Sequence, residues 1–257
     1  MKELAPYNIE SLPEAIQYYM HKAQISDSSC SDTAKTLFIE GSARAYLKID
    51  KEGKLARERI MTAWMHNYGL TPKVLEYASE NGMDYLLKEA LEGEDGISWH
   101  HKENPQRLAA VFGESLRLIH ALPKENCPFQ NRTIEMLEEA DSNAKQKHCD
   151  MDFIPEGIEH AYAILSTSKL LAGDDVVLHG DYCLPNIIMH DYRLAGFVDL
   201  GYGGVGDRHW DLFWGIWTLK YNLKTEKYKD TFLDAYGRET LNLDKLELCR
   251  LLAGLTG

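Results

Sequence analysis

Three side chains in one stretch have the types and spacing to do chemistry together. Asp181 sits in a loop, Asn186 follows five residues later, and Asp199 ends an apolar run, all within VVLHGDYCLPNIIMHDYRLAGFVDLGYGGVGDRHWD, residues 176–211. Asn186 and Asp199 are hard oxygen donors, suited to a Mg²⁺ ion that keeps some waters and is shared with substrate phosphates. Asp181 would accept the proton of an attacking hydroxyl, or aim that hydroxyl. Two carboxylates and one amide so placed suit phosphoryl transfer, whose loose transition state is served mainly by positioning and charge neutralisation. The plain alternative is a β-meander with incidental loop acids, because Asp and Asn suit turns. Three such residues in this order, each beside an apolar run, favour the chemical reading.

The elements that must position them are short strands. Val176–Leu178 reads as a buried strand, and Ile187–Met189 and Leu194–Val198 as two more around an Asp191-Tyr192 turn. The three functional residues then fall in loops and at strand ends, where they can converge without disturbing a core. The order of parts is also that of the protein kinases: a loop Asp, an Asn five residues on, then a metal-holding Asp-x-Gly, here Asp199-Leu200-Gly201.

On these residues the chain resembles a known family. HGDYCLPNI, GFVDLG and GDRHWD are similar to the antibiotic kinases, most closely the aminoglycoside 3′-phosphotransferases, with a weaker collinear likeness from about Ser28 to Leu252. The resemblance implies an α+β, bilobal, protein-kinase-like fold. It implies Asp181 as the catalytic Asp, Asn186 and Asp199 as Mg²⁺ ligands, and ATP, or else GTP, as phosphoryl donor.

Upstream, Lys35–Glu40 and Arg44–Asp50 read as strands about Gly41-Ser42. In the second, Ala45, Leu47 and Ile49 share one face, and Arg44, Tyr46 and Lys48 the other. A strand lysine is ordinarily a solvated one. Here a helix over Leu55–His66 follows, with Ile60, Met61, Trp64 and Met65 on one stripe and Glu58 near its start. A strand Lys paired with a helix Glu holds the α- and β-phosphates of ATP in kinases, and the resemblance maps Lys48 and Glu58 onto that pair, with Glu52 as the rival acid. Ser31, in the Ser-rich run 28–33, stands where a phosphate loop would lie; the alternative is an ordinary turn. Val74–Ala78 and Tyr85–Ala90 form a hairpin about Asn81-Gly82. A small N-lobe over residues 1–90 results, with a sheet and one helix, and a C-lobe over 91–257 follows. Only the resemblance implies that the backbone of Lys88 to Ala90 is the hinge that bonds the base.

From Asn104-Pro105, a cap followed by a first-turn proline, the pattern is helical to His120. Further helices are expected at about Thr133–Asp141 and Glu156–Leu171, after Asp207, and over Leu243–Leu252. At the N-terminus, Ser11 reads as a cap for a helix running to about Lys22. The aromatic stripe Trp210, Phe213, Trp214 and Trp217 reads as core. The acidic segment Asp150, Asp152 and Glu156 is either a solvated loop or a recognition site for ammonium groups through charge-assisted hydrogen bonds. The resemblance places the acidic substrate loop of the aminoglycoside kinases here.

Composition narrows the partners. With Asp+Glu 40 against Lys+Arg 28, the net charge of −12 disfavours nucleic acid and suits a small cationic hydroxylated substrate. Five scattered cysteines form no CxxC or zinc-like cluster, which fits reduced thiols and a cytoplasmic site. No basic-then-apolar leader and no apolar run of about 18 residues is seen, so no membrane span is expected. A monomer or weak dimer is expected.

The likeness departs from the family at two places. Tyr202 stands where an Arg typically follows Asp-x-Gly, and Ala253 and Gly254 stand where the family carries acids near its end, leaving the terminal carboxylate of Gly257. The chemistry is therefore read more firmly than the acceptor, for which the 3′-hydroxyl of an aminoglycoside is the first reading. Choline, homoserine, sugar-amine and macrolide kinases share the HxDxxxxN and DxG skeleton. A non-catalytic nucleotide-binding module is a further alternative.

Overall fold

The structure is a computed structural model that describes residues 8–29, 34–168 and 173–256. The chain divides into two compact units, Met1–Gly93 with Ala195–Gly201, and Glu94–Leu194 with Tyr202–Gly257. The segment that carries Asp199 thus belongs with the first unit.

The first unit is an antiparallel sheet in the order β1-β2-β3-β5-β4, built from β1 (Gln24–Asp27), β2 (Lys35–Glu40), β3 (Arg44–Lys51), β4 (Val74–Glu80) and β5 (Met83–Glu89). The two-residue alternation of β3 separates its faces. Ala45, Leu47 and Ile49 are buried with Leu37, Ile39 and Leu87, and with Leu12, Ile16 and Met20 from around α1 (Glu14–Met20). Tyr46 and Lys48 point the other way. The β4–β5 turn is tight because Asn81 and Gly82 both adopt positive φ, 55° and 76°, as a two-residue hairpin that follows the strand twist requires.

A second helix, α2 (Ala56–His66), follows β3. Its buried residues are Glu58, Met61, Thr62 and Met65, spaced three and four apart. The buried stripe is therefore rotated from the expected one: Ile60 and Trp64 are only half-buried, and Glu58 is part of the inward face. Ser11 does not cap α1 either. It belongs to a short 3₁₀ turn and bonds its hydroxyl to the Asn8 carbonyl at 2.7 Å, while Pro13 precedes the helix. β1 was not expected from the polar start of the chain; its Ile25 and Ser26 are buried.

The second unit is mostly helical. It contains α3 (Trp99–Lys102), α4 (Pro105–His120), α5 (Arg132–Gln146), α6 (Ile158–Thr167), α7 (His209–Leu223), α8 (Lys229–Tyr236) and α9 (Leu243–Thr256). Asn104 caps α4, its Oδ1 accepting the Arg107 N–H at 3.1 Å. The core packs Met136, Ala140, Ile154, Leu165 and Trp210 around Leu248, Leu251, Leu252 and Leu255 of α9. Phe213 and Trp214 pack against this core, while Trp217 stacks on the exposed Tyr221 at 4.9 Å. Lys245 pins α9 from within: its Nζ lies 2.5 Å from Asp174 and 2.7 Å from Asp207. Asp174, Asp207 and His209 are the only metal-like cluster among the described residues, and this ammonium occupies it.

Small strands carry the loops of interest: β6 (Glu94–Asp95), β7 (Asp175–Leu178), β8 (Ile187–His190), β9 (Arg193–Phe197) and β10 (Gly204–Asp207). β7 pairs antiparallel with β10, placing Leu178 opposite Gly204. Between β8 and β9, Asp191 and Tyr192 take φ of 48° and 58°. The Tyr192 hydroxyl holds that turn, donating to the His100 carbonyl at 2.9 Å.

Candidate active site

In the first unit the sequence-predicted charges come together. The register of β3 on β5 places Lys48 opposite Leu86 and Tyr46 opposite Lys88, so both lysines share the face that α2 covers. Lys48 Nζ lies 2.9 Å from Glu58 Oε2 and 3.0 Å from Asp199 Oδ1. Burial works against this charged amine, but the Glu58 and Asp199 carboxylates outweigh it and hold its pKa above the ordinary lysine range. Glu58 is almost fully enclosed, whereas the Asp199 side chain is 46% exposed. Asp199 also takes a positive φ of 59° at the end of its strand, a backbone choice that a short polar side chain tolerates best. Glu52, the rival acid, lies in the exposed turn after β3.

Lys88 and Ala90 were expected to act through their backbone. The structure places Lys88 inside β5, bonded on both sides to neighbouring strands. The Glu89 and Ala90 amides donate to the carbonyls of Lys73 and Arg44, each at 2.9 Å. Neither N–H is open to a base without loss of a sheet bond. The Lys88 side chain is the unexpected feature: it is buried and its ammonium is paired with Glu58 Oε1. Ser31 lies outside the described residues.

In the second unit, Asp181 and Asn186 are held against each other. Asn186 Nδ2 donates to Asp181 Oδ2 and to the Asp181 carbonyl, both at 2.9 Å. The loop is fixed from below by Asp211 in the first turn of α7. Its carboxylate accepts the His179 N–H at 2.7 Å and the Gly180 N–H at 2.9 Å, and pairs with His120 Nε2 at 3.1 Å. Trp210 Nε1 donates to the Gly180 carbonyl at 2.7 Å. Tyr182 stacks on Phe112 at 4.4 Å and donates its hydroxyl to the Phe112 carbonyl at 2.6 Å. Gly180 has φ 88°, and a Cβ there would lie 2.0 Å from the Tyr202 carbonyl oxygen. Cys183 is no nucleophile: burial pushes its thiol up, and the Asp181 charge adds to that.

The donors fit magnesium in kind. Asn186 presents an amide oxygen once its Nδ2 is spent on Asp181, and Asp199 presents an exposed carboxylate. Both are hard oxygen ligands.

The acidic segment is less uniform than its sequence. Asp150 Oδ1 accepts the Asp152 N–H at 2.9 Å, and the Asp150 N–H donates to the Gly254 carbonyl at 2.8 Å. Glu156 pairs with Arg250 of α9 at 2.5 Å, which holds its carboxyl below the usual range. A groove of about 320 Å³, lined by Phe213, Trp217, Leu243, Leu246 and Arg250, lies beside α9 and includes none of the catalytic candidates.

Two residues of the site were not assigned from the sequence. Asp211 was visible only as an acid opening a helix, and its distance of 31 positions from Gly180 hides the contact. At Lys88 the sequence points only to the backbone. Its alternation with Leu86, and of Lys48 with Tyr46, would have placed the two lysines on one face had the β3–β5 pairing been known.

Residues 31–249 match the model of a phosphotransferase enzyme family. The chain is 41% identical over 252 residues to a probable aminoglycoside 3′-phosphotransferase of Lactococcus lactis, covering 96% of each chain. It is 36% identical over 188 residues to an aminoglycoside 3′-phosphotransferase of Niallia circulans, covering 72% of each. Among solved structures, an aminoglycoside 3′-phosphotransferase of type VIII superposes with a TM-score of 0.78 at 23% identity, covering 94% of this chain and 98% of that one. An aminoglycoside phosphotransferase of Streptomyces rimosus, solved with ADP and streptomycin, superposes with a TM-score of 0.74 at 25% identity, covering 87% and 90%. The two-part α+β kinase-like fold is shared with both.

Proposed function

The chain belongs to the phosphotransferase enzyme family, and from that premise we propose that it transfers the γ-phosphoryl group of ATP to the 3′-hydroxyl of an aminoglycoside. As a member it is an enzyme, a small-molecule kinase. The observation that carries the reading is Lys48, held between the Glu58 and Asp199 carboxylates at 2.9 and 3.0 Å. A lysine so placed is aimed and kept charged for a polyphosphate.

In this reading Lys48 donates to the α- and β-phosphate oxygens, and Glu58 orients it. Asn186 and Asp199 would hold Mg²⁺, which when bound neutralises charge on the phosphates. The acceptor hydroxyl oxygen forms a bond to the γ-phosphorus, the bond from that phosphorus to the β,γ-bridging oxygen breaks, and ADP leaves. The hydroxyl proton passes to Asp181, whose Oδ2 is anchored by Asn186 and whose Oδ1 is the accepting atom. GTP is the alternative donor. Asp150 and Asp152 supply anionic contacts for ammonium groups, with Glu156 sharing its charge with Arg250. We place the reaction in the cytoplasm, where thiols stay reduced.

The Glu156–Arg250 pair favours a second reading of the acceptor alone: a smaller hydroxylated amine that needs fewer carboxylates. Nucleotide turnover measured across aminoglycosides with and without a 3′-hydroxyl, alongside choline and homoserine, separates the two. Transfer only to acceptors bearing that hydroxyl, abolished in Asp181→Ala, supports the first reading. Turnover with none of the panel would end both acceptor readings.

A further inference from the structure

Glu58 has two ammonium partners where one would orient a phosphate-binding lysine. Lys48 Nζ takes Oε2 at 2.9 Å, and Lys88 Nζ takes Oε1. The same two ammoniums flank Asp199 Oδ1, at 3.0 Å from Lys48 and 3.9 Å from Lys88. Two lysines and two carboxylates thus form a closed, neutral quartet. Lys88 is its most hidden cation, with a side chain only 7% exposed against 21% for Lys48. A lysine buried on a sheet face loses much of its hydration, and only a close carboxylate offsets that. The neighbours of Lys88 on the strand, Leu86 and Leu87, are apolar and fully buried.

We infer that Lys88 is a positioning residue for nucleotide binding: a standing counter-ion of Glu58 that lets Lys48 turn its N–H groups to phosphate. The inference rests on the kinase reading above and adds a residue to it. When a triphosphate arrives, Lys48 must divide its three N–H donors among Glu58, Asp199 and phosphate oxygens. If Lys48 were the sole partner of Glu58, each donor given to phosphate would weaken the compensation of an enclosed carboxylate. Lys88 supplies that compensation in both states. It also offsets one of the two carboxylate charges that a polyanion would otherwise meet beside Lys48.

The test is a double-mutant cycle on nucleotide affinity. Lys88→Met, Glu58→Gln and the double variant are compared with the parent by calorimetric titration of MgATP and by steady-state kinetics. Lys88→Met is expected to raise the Kd and KM for MgATP about tenfold, with kcat changed less than about threefold because Lys88 acts on binding. In the Glu58→Gln background the same substitution is expected to change nucleotide affinity less than about twofold, since the charge it serves is gone. Lys88→Arg, which keeps the charge, is expected to recover part of the affinity. Equal losses in both backgrounds, or unchanged affinity in a folded Lys88→Met, would overturn the inference and leave the kinase reading standing. If Lys88→Met does not fold, the double variant decides: affinity matching Glu58→Gln supports the inference, and a further large loss overturns it. A parent protein that binds neither MgATP nor MgGTP overturns the kinase reading, and this one with it.

Discussion

The Asp211 carboxylate sits under the amide of Gly180, its Oδ1 accepting that N–H at 2.9 Å while Oδ2 takes the neighbouring His179 N–H at 2.7 Å. The loop that carries Asp181 is therefore hung from the first turn of α7 by its own backbone. Asp211→Asn puts an N–H where one of these acceptors was, opposite an amide donor. A stability loss of roughly 3–5 kcal/mol is expected from breaking so buried a charge site, read by denaturant unfolding. A fall in kcat of at least about a hundredfold should accompany it, as Asp181, the proposed proton acceptor, drifts from its place.

Gly180→Ala tests the same loop through sterics. Its φ of 88° and the 2.0 Å approach to the Tyr202 carbonyl leave no room for a methyl group. The backbone must move, and loop residues with it. Near-complete loss of turnover is expected, with far-ultraviolet circular dichroism still showing the helical unit. Full activity in this variant would contradict the geometry of the turn.

Lys48→Met removes one ammonium from Glu58 but leaves Lys88 on its other oxygen. The fold is therefore expected to survive, with kcat/KM reduced about 10²–10³-fold, the scale for one lost electrostatic contact to the transition state. The pH dependence has a definite sign. Because the folded pKa of Lys48 is raised above its unfolded value, its contribution to stability is complete below about pH 10.4 and is lost only as pH rises through the folded value. Alkaline unfolding curves of the parent and Lys48→Met should converge above that range, and no activity loss between pH 7 and 9 should trace to this amine.

His120 sets an acid limit. Burial lowers its pKa despite the opposing bond to Asp211. For a folded pKa below the unfolded one, stability is complete above about pH 6.5 and falls as pH drops from there toward the folded value. Thermal melts between pH 8 and 5 should show a loss that His120→Gln flattens over this window. An unchanged slope in the variant would remove His120 as the cause.

Arg250→Ala frees Glu156 from its ion pair on the surface. A modest stability loss, on the order of 1 kcal/mol, is expected, since the pair is partly exposed and Arg250 also donates to the Phe153 carbonyl. If Glu156 serves the acceptor, the KM for a polycationic aminoglycoside should fall severalfold while the KM for nucleotide stays constant. Initial-rate measurements with each substrate varied in turn distinguish the two.

Some of this was legible in the amino-acid order because it is written locally. The Asn81-Gly82 and Asp191-Tyr192 turns, the alternation of β3 and the Asn104 cap each need only neighbouring residues. Asp181 and Asn186 lie five apart on one loop, so their contact could be anticipated. The orientation of α2 could not, since Glu58 faces inward only because two lysines on the sheet compensate it. β1 and β10 also escaped, being short strands that a partner strand defines more than their composition does.

What the sequence determined by itself was the cast of the proposed chemistry: a loop Asp, an amide five residues on, an Asp closing a strand, and a strand lysine ahead of a helix that carries Glu58. Tertiary structure alone decided the partners. Lys48 meets Asp199 across 151 positions, Glu156 meets Arg250 across 94, and Lys88 reaches Glu58 from another strand. A charged side chain takes its role from whichever opposite charge the fold brings within about 3–4 Å, and that distance is set by strand register and helix rotation, which no short stretch of sequence encodes.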